Sequence, residues 1–454
     1  MKLLRLKNES ENPIFTGSDL KQLIWPLLAE QVLVMLVGLA DTVMVSAVGE
    51  DAVSGVSLID MINQLIFSIL SALATGGAVI TAQYIGKRMK QKACETANQL
   101  LYAVIAISLL IALACIAVRK PLLKLFFGGI EPPVMSAALT YFVVSALSYP
   151  FIAMYNAAAA LFRSMGKSRV TLIVSIFMNA VNITGNAVFI FGFHMGVLGA
   201  GLGSLIARAL SALLINALLL TAKHEIHYVK PGRPFFNWGD LGKILYIGIP
   251  SGIENGIFQL GRIVVVSIIA TFGTTQIAAN AVANNFDGIG VIPGNALALA
   301  MITVVGQCVG AGEYRQAEYY TAKLMSLAWL AFLVWDGLIL ATLPWTLQIY
   351  NLSAETMSLA QTLITIHNGV AIVFWPISFV LPNALRAAND VKYPMVVSVF
   401  SMIVFRVLFS VLLGQRLGLG AVGVWIAMVI DWIFRSTLFT VRFRSGKWQQ
   451  RKLV

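Results

Sequence analysis

Two carboxylates in the first long apolar stretch, Glu30 and Asp41, are the residues best placed in this sequence for ion chemistry. They lie eleven residues apart. On a helix that is almost three full turns, so both face the same way, about 16 Å apart along the axis. Ionisable groups at membrane depth cost ~2.5–3.5 kcal/mol or more and mark candidate functional sites. A desolvated carboxylate can take up a proton near neutral pH, and with further oxygen ligands it can hold Na⁺. Each can equally be an acid held by an arginine from another helix. Pro26 precedes them. It interrupts the helical hydrogen-bond ladder and offers a hinge.

The other intramembrane polar groups follow. Glu254 stands four residues after Pro250, a second candidate hinge. Facing a cavity it could attract a cationic substrate, and it could also cap a neighbouring element. Asp60 and Asp287 are further candidates for a cavity lining. Asp336 is expected near a helix end or an arginine, and Asp431 in an i, i+4 ion pair with Arg435. His367 has the chemistry of a proton relay but also that of a packed core histidine. Asn182 and Asn186, four apart, share one helix face and can glue helices or offer carbonyl oxygens to a cation. Arg208, Arg262, Arg406 and Arg435 also fall within apolar segments.

The elements that carry these groups can be read from composition. The chain has 454 residues, of which 58% are hydrophobic and 11% charged, a balance that would leave a water-soluble surface covered with apolar patches. Twelve apolar segments fall near 20–48, 53–83, 95–117, 134–161, 169–192, 198–221, 242–272, 277–308, 320–346, 357–385, 393–415 and 420–441. Most are long enough to cross a bilayer. The net charge of +12 is not a nucleic-acid signature. Its Lys and Arg concentrate in alternate stretches: the arm to Lys21, Lys87–Lys92, Arg163–Arg169, Lys223–Lys243, Arg315–Lys323, Arg386–Lys392 and the tail after Val441. The intervening stretches hold only Arg119, Lys120, Lys124 and Arg416. This alternation predicts a multi-pass protein of a bacterial or archaeal cytoplasmic membrane with both termini cytoplasmic. The first segment, interrupted by Glu30, Gln31 and Asp41, is not read as a cleavable signal.

The chain is expected to be an internal duplication. An offset of 224 pairs Pro26 with Pro250, Glu30 with Glu254, Gly49 with Gly273 and Gln83 with Gln307, and an offset of 223 pairs Arg163 with Arg386. The expected organisation is an N-terminal six-helix bundle over 1–222, a cytoplasmic linker over 223–243 containing Pro231, Gly232 and Pro234, and a C-terminal six-helix bundle with a basic tail over 244–454. A parallel repeat of this kind places a substrate site near the midplane between the halves. Cys94, Cys115 and Cys308 show no metal or redox spacing. No phosphate loop or nucleophile–base arrangement points to an enzyme, and no bound cofactor is expected.

Several stretches carry a resemblance. LADTVMVSAVG at 39–49, VVGQCVGAGEYRQAE at 304–318, LFRSMGKSR at 161–169 and ALRAANDVKYP at 384–394 are similar to the multidrug and toxic compound extrusion (MATE) transporters of the MOP flippase superfamily. The resemblance implies an all-α membrane protein of two pseudo-symmetric six-helix bundles forming a V. It also implies export of small organic molecules, often cationic and amphipathic, driven by inward H⁺ or Na⁺ through alternating access. Asp41 then corresponds to the cation-coupling acid, with Asn182, Asn186 and Ser204 as companions. Asn186 stands where many members carry an acid. On this reading Glu30, Glu254, Asp60, Asp287 and His367 belong to the substrate cavity, the lipid bilayer is the surroundings, and the protein works as a monomer. The alternative is a flippase for a lipid-linked precursor, with the intramembrane arginines holding pyrophosphate. A membrane-embedded transferase is a distant third.

Overall fold

The computed structural model describes residues 13–229 and 236–454, so Pro231, Gly232 and Pro234 of the expected linker lie outside the described residues. Among the described residues the chain is helical. Twelve helices are long and apolar enough to cross a membrane. They are α1 (Gly17–Ser46), α2 (Glu50–Gly86), α3 (Lys90–Ala117), α4 (Pro132–Ser164), α5 (Ser168–Gly192) and α6 (Gly196–Leu219). The second set is α7 (Trp238–Ala270), α8 (Ile292–Gly310, continuing from Thr274–Gly290), α9 (Tyr314–Tyr350), α10 (Ala354–Ala387), α11 (Lys392–Arg416) and α12 (Gly420–Arg444). Backbone hydrogen bonds satisfied within each helix are what allow it to sit in hydrocarbon.

The duplication is written in the backbone. Left-handed residues recur at the 223–224 spacing: Gly49 with Gly273, Arg88 with Gly312, Gly166 with Asn389, His194 with Gly418 and Gly196 with Gly420. At Gly49 (φ 137°) and Gly273 (φ 97°) the chain leaves one helix and enters the next through a conformation that a Cβ would oppose.

The chain forms two compact units, Lys21–Gly252 and Ile253–Val454, the latter together with the residues up to Leu20. The unit boundaries therefore fall inside α1 and α7. In the N-terminal unit, α2 receives the first part of α7 closely enough that a Cβ on Gly248 would lie 3.3 Å from the Leu73 Cα. Lys243 Nζ donates to the Tyr84 hydroxyl there (2.8 Å). In the C-terminal unit, the backbone N–H of Ile14 donates to Gln316 Oε1 (2.9 Å) and that of Phe15 to the Tyr320 hydroxyl (3.1 Å). Small residues let helices approach without a hydrophobic driving force. The run Ala157–Ala160 of α4 is buried for this reason, and a Cβ on Gly55 of α2 would meet Ala137 and Ala138 at 2.9 Å. Pro26 and Pro250 lie inside α1 and α7, which stay helical through them.

Candidate functional site

The N-terminal unit contains a cavity of about 120 Å³, large enough for several water-sized species, lined by Asp41 of α1, Asp60 of α2, Tyr141 of α4, Asn186 of α5, and Ser204 and Arg208 of α6. Asn186 Nδ2 donates to Asp41 Oδ1 (2.8 Å) and more weakly to Asn182 Oδ1 (3.4 Å). Asn182 Nδ2 in turn donates to Ser204 Oγ (3.0 Å). Asp41, Asn182, Asn186 and Ser204 thus form one hydrogen-bonded line across three helices. The 3.6-residue helical period puts Asn182 and Asn186 on one face, and the approach of α6 brings in Ser204. Asn186 Oδ1 is buried and has no hydrogen-bond partner among the described residues.

Gly203 carries no signal in the sequence, and Arg208, read there only as one of the arginines of the flippase alternative, joins this site through tertiary packing. Gly203 lets α6 come so close to α5 that a Cβ there would run into Asn186 Oδ1 and lie 2.8 Å from the Asn186 backbone nitrogen. Arg208 is fixed by donating to Ser148 Oγ (2.6 Å) with its guanidinium 4.8 Å from the Phe67 ring. Two carboxylates, Asp41 and Asp60, face one guanidinium, a formal charge of −1 when all are ionised. Asp60 also accepts from Asn63 Nδ2 (3.2 Å), whose own oxygen accepts from the Tyr149 hydroxyl (2.9 Å).

Glu30 and Glu254 line neither this cavity nor its C-terminal counterpart. Glu30 is buried, with Arg163 Nη1 at 3.4 Å and the Thr171 hydroxyl donating to Oε2 at 2.9 Å. Glu254 is held at 2.6 Å by Arg386 and at 3.5 Å by Arg435. The pairs Glu30–Arg163 and Glu254–Arg386 are repeat equivalents, so each unit carries the same internal brace.

In the C-terminal unit, Asp287 of α8 pairs with His367 Nε2 of α10 at 2.8 Å. His367 Nδ1 meets Asn368 Oδ1 at 2.7 Å, and Asn368 Nδ2 reaches Asp336 Oδ1 of α9 at 3.5 Å. His367 is buried between the rings of Trp425 and Trp432, at 5.7 and 5.1 Å. Asp336, expected near a helix end or an arginine, is instead fully buried within α9 with Asn368 as its contact. Asp431 and Arg435 do not form the expected i, i+4 pair. Asp431 Oδ1 accepts from the Ser401 hydroxyl, while Arg435 turns to Glu254 and to Ser398 Oγ (2.6 Å). Both groups are instead engaged by residues of other helices, although Asp431 Oδ2 and Arg435 Nε keep no hydrogen-bond partner among the described residues. A smaller cavity, about 40 Å³, is lined by Arg262, Asn280, Asn284, Asp287, Arg406 and Trp425. No cluster of three or more His, Cys, Asp or Glu with metal-binding geometry occurs among the described residues. The three cysteines are unpaired thiols.

Twelve spanning helices in two repeated sets, with polar side chains turned into cavities inside each unit, define a membrane transporter. The MatE family model matches twice, at residues 26–188 and 250–412, and the chain belongs to the MatE family of transporters, whose members are not enzymes. It is 29% identical to the uncharacterized transporter YisQ of Bacillus subtilis, over 96% of both chains. It is 27% identical to the probable multidrug resistance protein NorM of Thermotoga maritima, covering 96% of this chain and 94% of that one. A solved outward-facing multidrug resistance MATE transporter of the MOP superfamily superposes with a TM-score of 0.88 at 20% identity, covering 95% of this chain and 96% of that one. The all-α MATE fold read from the sequence is the fold of this protein.

Proposed function

We propose that this transporter is a secondary antiporter that exports amphipathic organic compounds in exchange for H⁺ or Na⁺ by alternating access. The supporting observation is that Asn186, whose Nδ2 donates to the Asp41 carboxylate, leaves its own oxygen buried without a partner beside the same cavity. A buried acceptor without a donor is costly, and a bound Na⁺ would satisfy it, whereas a proton on Asp41 would act by neutralising the carboxylate that Asn186 Nδ2 contacts. Asn182 and Ser204 hold Asn186 in register. Neutralising Asp41 would change the balance between conformations, because a ligand shifts an equilibrium only by its differential affinity for the two states. Pro26 and Pro250 give α1 and α7 places to bend.

A cationic cargo is expected from the sequence. Glu30 and Glu254 are both engaged by arginines, so Asp60 is the carboxylate left to receive a cationic group beside Asp41. The alternation of Lys and Arg supports a cytoplasmic-membrane protein with both termini on the cytoplasmic side, and the proposed unit of function is the monomer. A flippase for a lipid-linked precursor is the second reading, and the arginines lining the C-terminal cavity favour it.

The test is uptake and release of a fluorescent organic cation by reconstituted vesicles under separately imposed H⁺ and Na⁺ gradients. Movement driven by one gradient and lost in Asp41→Asn supports the antiporter and identifies its ion. Wild-type-like movement in Asp41→Asn removes Asp41 from the coupling.

A further inference from the structure

The C-terminal cavity has the opposite polarity to the N-terminal one. Arg262 of α7 and Arg406 of α11 both line it, and no carboxylate lies within ion-pair distance of either guanidinium among the described residues. The one carboxylate in the lining, Asp287, is already bound to His367 Nε2 at 2.8 Å. Among the lining residues, two guanidiniums stand against one carboxylate, a formal charge of +1. Asp431, outside the lining, accepts from the Ser401 hydroxyl and acts on Arg406 only from beyond ion-pair distance. Arg406 Nε is buried with no hydrogen-bond partner among the described residues.

The remaining lining points the same way. Asn280 is buried and spends its carbonyl oxygen on Trp425 Nε1, which can only donate (3.0 Å). What Asn280 has left is its amide NH₂, a donor. The Trp425 ring that fixes it also packs against His367. The cavity therefore offers two forked guanidiniums and an oriented amide donor above an indole wall. Arg is suited to this task because its planar fork matches the oxygens of a carboxylate or phosphate. An unpaired arginine at membrane depth is expensive unless something anionic compensates it.

We propose that this cavity is an anion subsite for the transported compound, taking a phosphate or carboxylate group through Arg262, Arg406 and Asn280. This rests on the reading of the chain as an organic-compound transporter, and it adds to the cationic group expected at Asp60 a cargo chemistry of its own: an anionic oxygen group on an amphiphile.

The decisive experiment is equilibrium binding to the purified full-length protein in detergent, kept separate from transport. The probes are a fluorescent aryl phosphate monoester, the matching aryl carboxylate, the matching aryl trimethylammonium and a short-chain polyprenyl pyrophosphate. Wild type should bind the anionic probes saturably. Arg262→Gln and Arg406→Gln should each weaken them on the order of tenfold, and Arg262→Lys should weaken them less, while trimethylammonium binding does not fall. Tighter binding of the polyprenyl probe than of the aryl phosphate supports the site with a lipid headgroup as the source of the anion, and the reverse supports it with a soluble compound. No anion binding by wild type, or unchanged anion affinity in both glutamine variants, overturns the proposal. Should Arg406→Gln fail to fold, Arg262→Gln decides, because Arg262 is exposed and its loss leaves no core void. Arginine-dependent binding without movement of any probe in vesicles would defeat the antiporter reading for these compounds and leave the site standing. Gradient-driven movement of the cation alone would do the opposite.

Discussion

The two cavities occupy equivalent places in the two repeats and share almost none of their chemistry. At an offset of 224, Gly38, Asp41 and Thr42 of the N-terminal lining correspond to Arg262, Val265 and Val266 of the C-terminal one. Asp60 corresponds to Asn284, and Ser204 to Met428. The acids of one cavity are replaced by an amide and an alkyl group in the other, and a glycine is replaced by an arginine. The braces have not diverged in this way, since Glu30–Arg163 and Glu254–Arg386 persist in both units. The framework is kept twice while each kind of ion chemistry is kept once. A buried charge pair tolerates little change, because removing one partner strands the other. A solvent-accessible lining can change sign at much lower cost.

Four changes would break or sharpen that contrast. The largest effect is expected from Asp41→Asn, which should reduce gradient-driven efflux to the level of protein-free vesicles. Val265→Asn at the equivalent position should leave coupling in place. If both behave alike in the same vesicle assay, the asymmetry is not functional.

Next comes Glu254→Gln. It leaves Arg386 and Arg435 uncompensated and should cost about 3–5 kcal/mol, read as a lower thermal midpoint in detergent. Glu30→Gln should cost less, since Glu30 faces one arginine at 3.4 Å and keeps a hydroxyl donor. Equal losses would show that the second arginine on Glu254 adds nothing.

A graft should then move specificity between the units. Arg262→Gly combined with Val265→Asp rebuilds the N-terminal pattern on α7, and preference should shift from the aryl phosphate toward the trimethylammonium probe by about tenfold. An unchanged preference in competition binding would place selectivity outside this cavity.

The smallest effect is expected from Gly203→Ala, whose methyl group displaces Asn186 from Asp41 and should lower efflux a few-fold with expression intact. The equivalent residue is already alanine, the fully buried Ala427. Ala427→Gly should leave efflux alone and cost only about 1 kcal/mol of stability. Wild-type efflux from Gly203→Ala would show that Asn186 has room to adapt.

Much of this protein is decided by its sequence alone. Hydrocarbon accepts only long apolar helices with internally satisfied backbones, so the number of spanning segments follows from their length and hydropathy. The repeat is equally legible, because proline, glutamate and glycine recur on one offset at helix starts and turns. Asp41 and the Asn182–Asn186 face are readable for a related reason, since local helical geometry fixes which residues share a face. Which charges meet is a different matter. Arg163 is 133 residues from Glu30, and Arg435 prefers Glu254 to Asp431 although Asp431 is four residues away on its own helix. His367 is placed by Asp287 of α8 and by two tryptophans of α12. Arg262 and Arg406 look in the sequence like any other intramembrane arginines. Only the packing of α7, α8, α11 and α12 shows that, among the described residues, no carboxylate comes within ion-pair distance of either. Ion pairing inside a membrane protein is settled by distances of a few ångströms between residues far apart in the chain, and tertiary structure alone sets those distances.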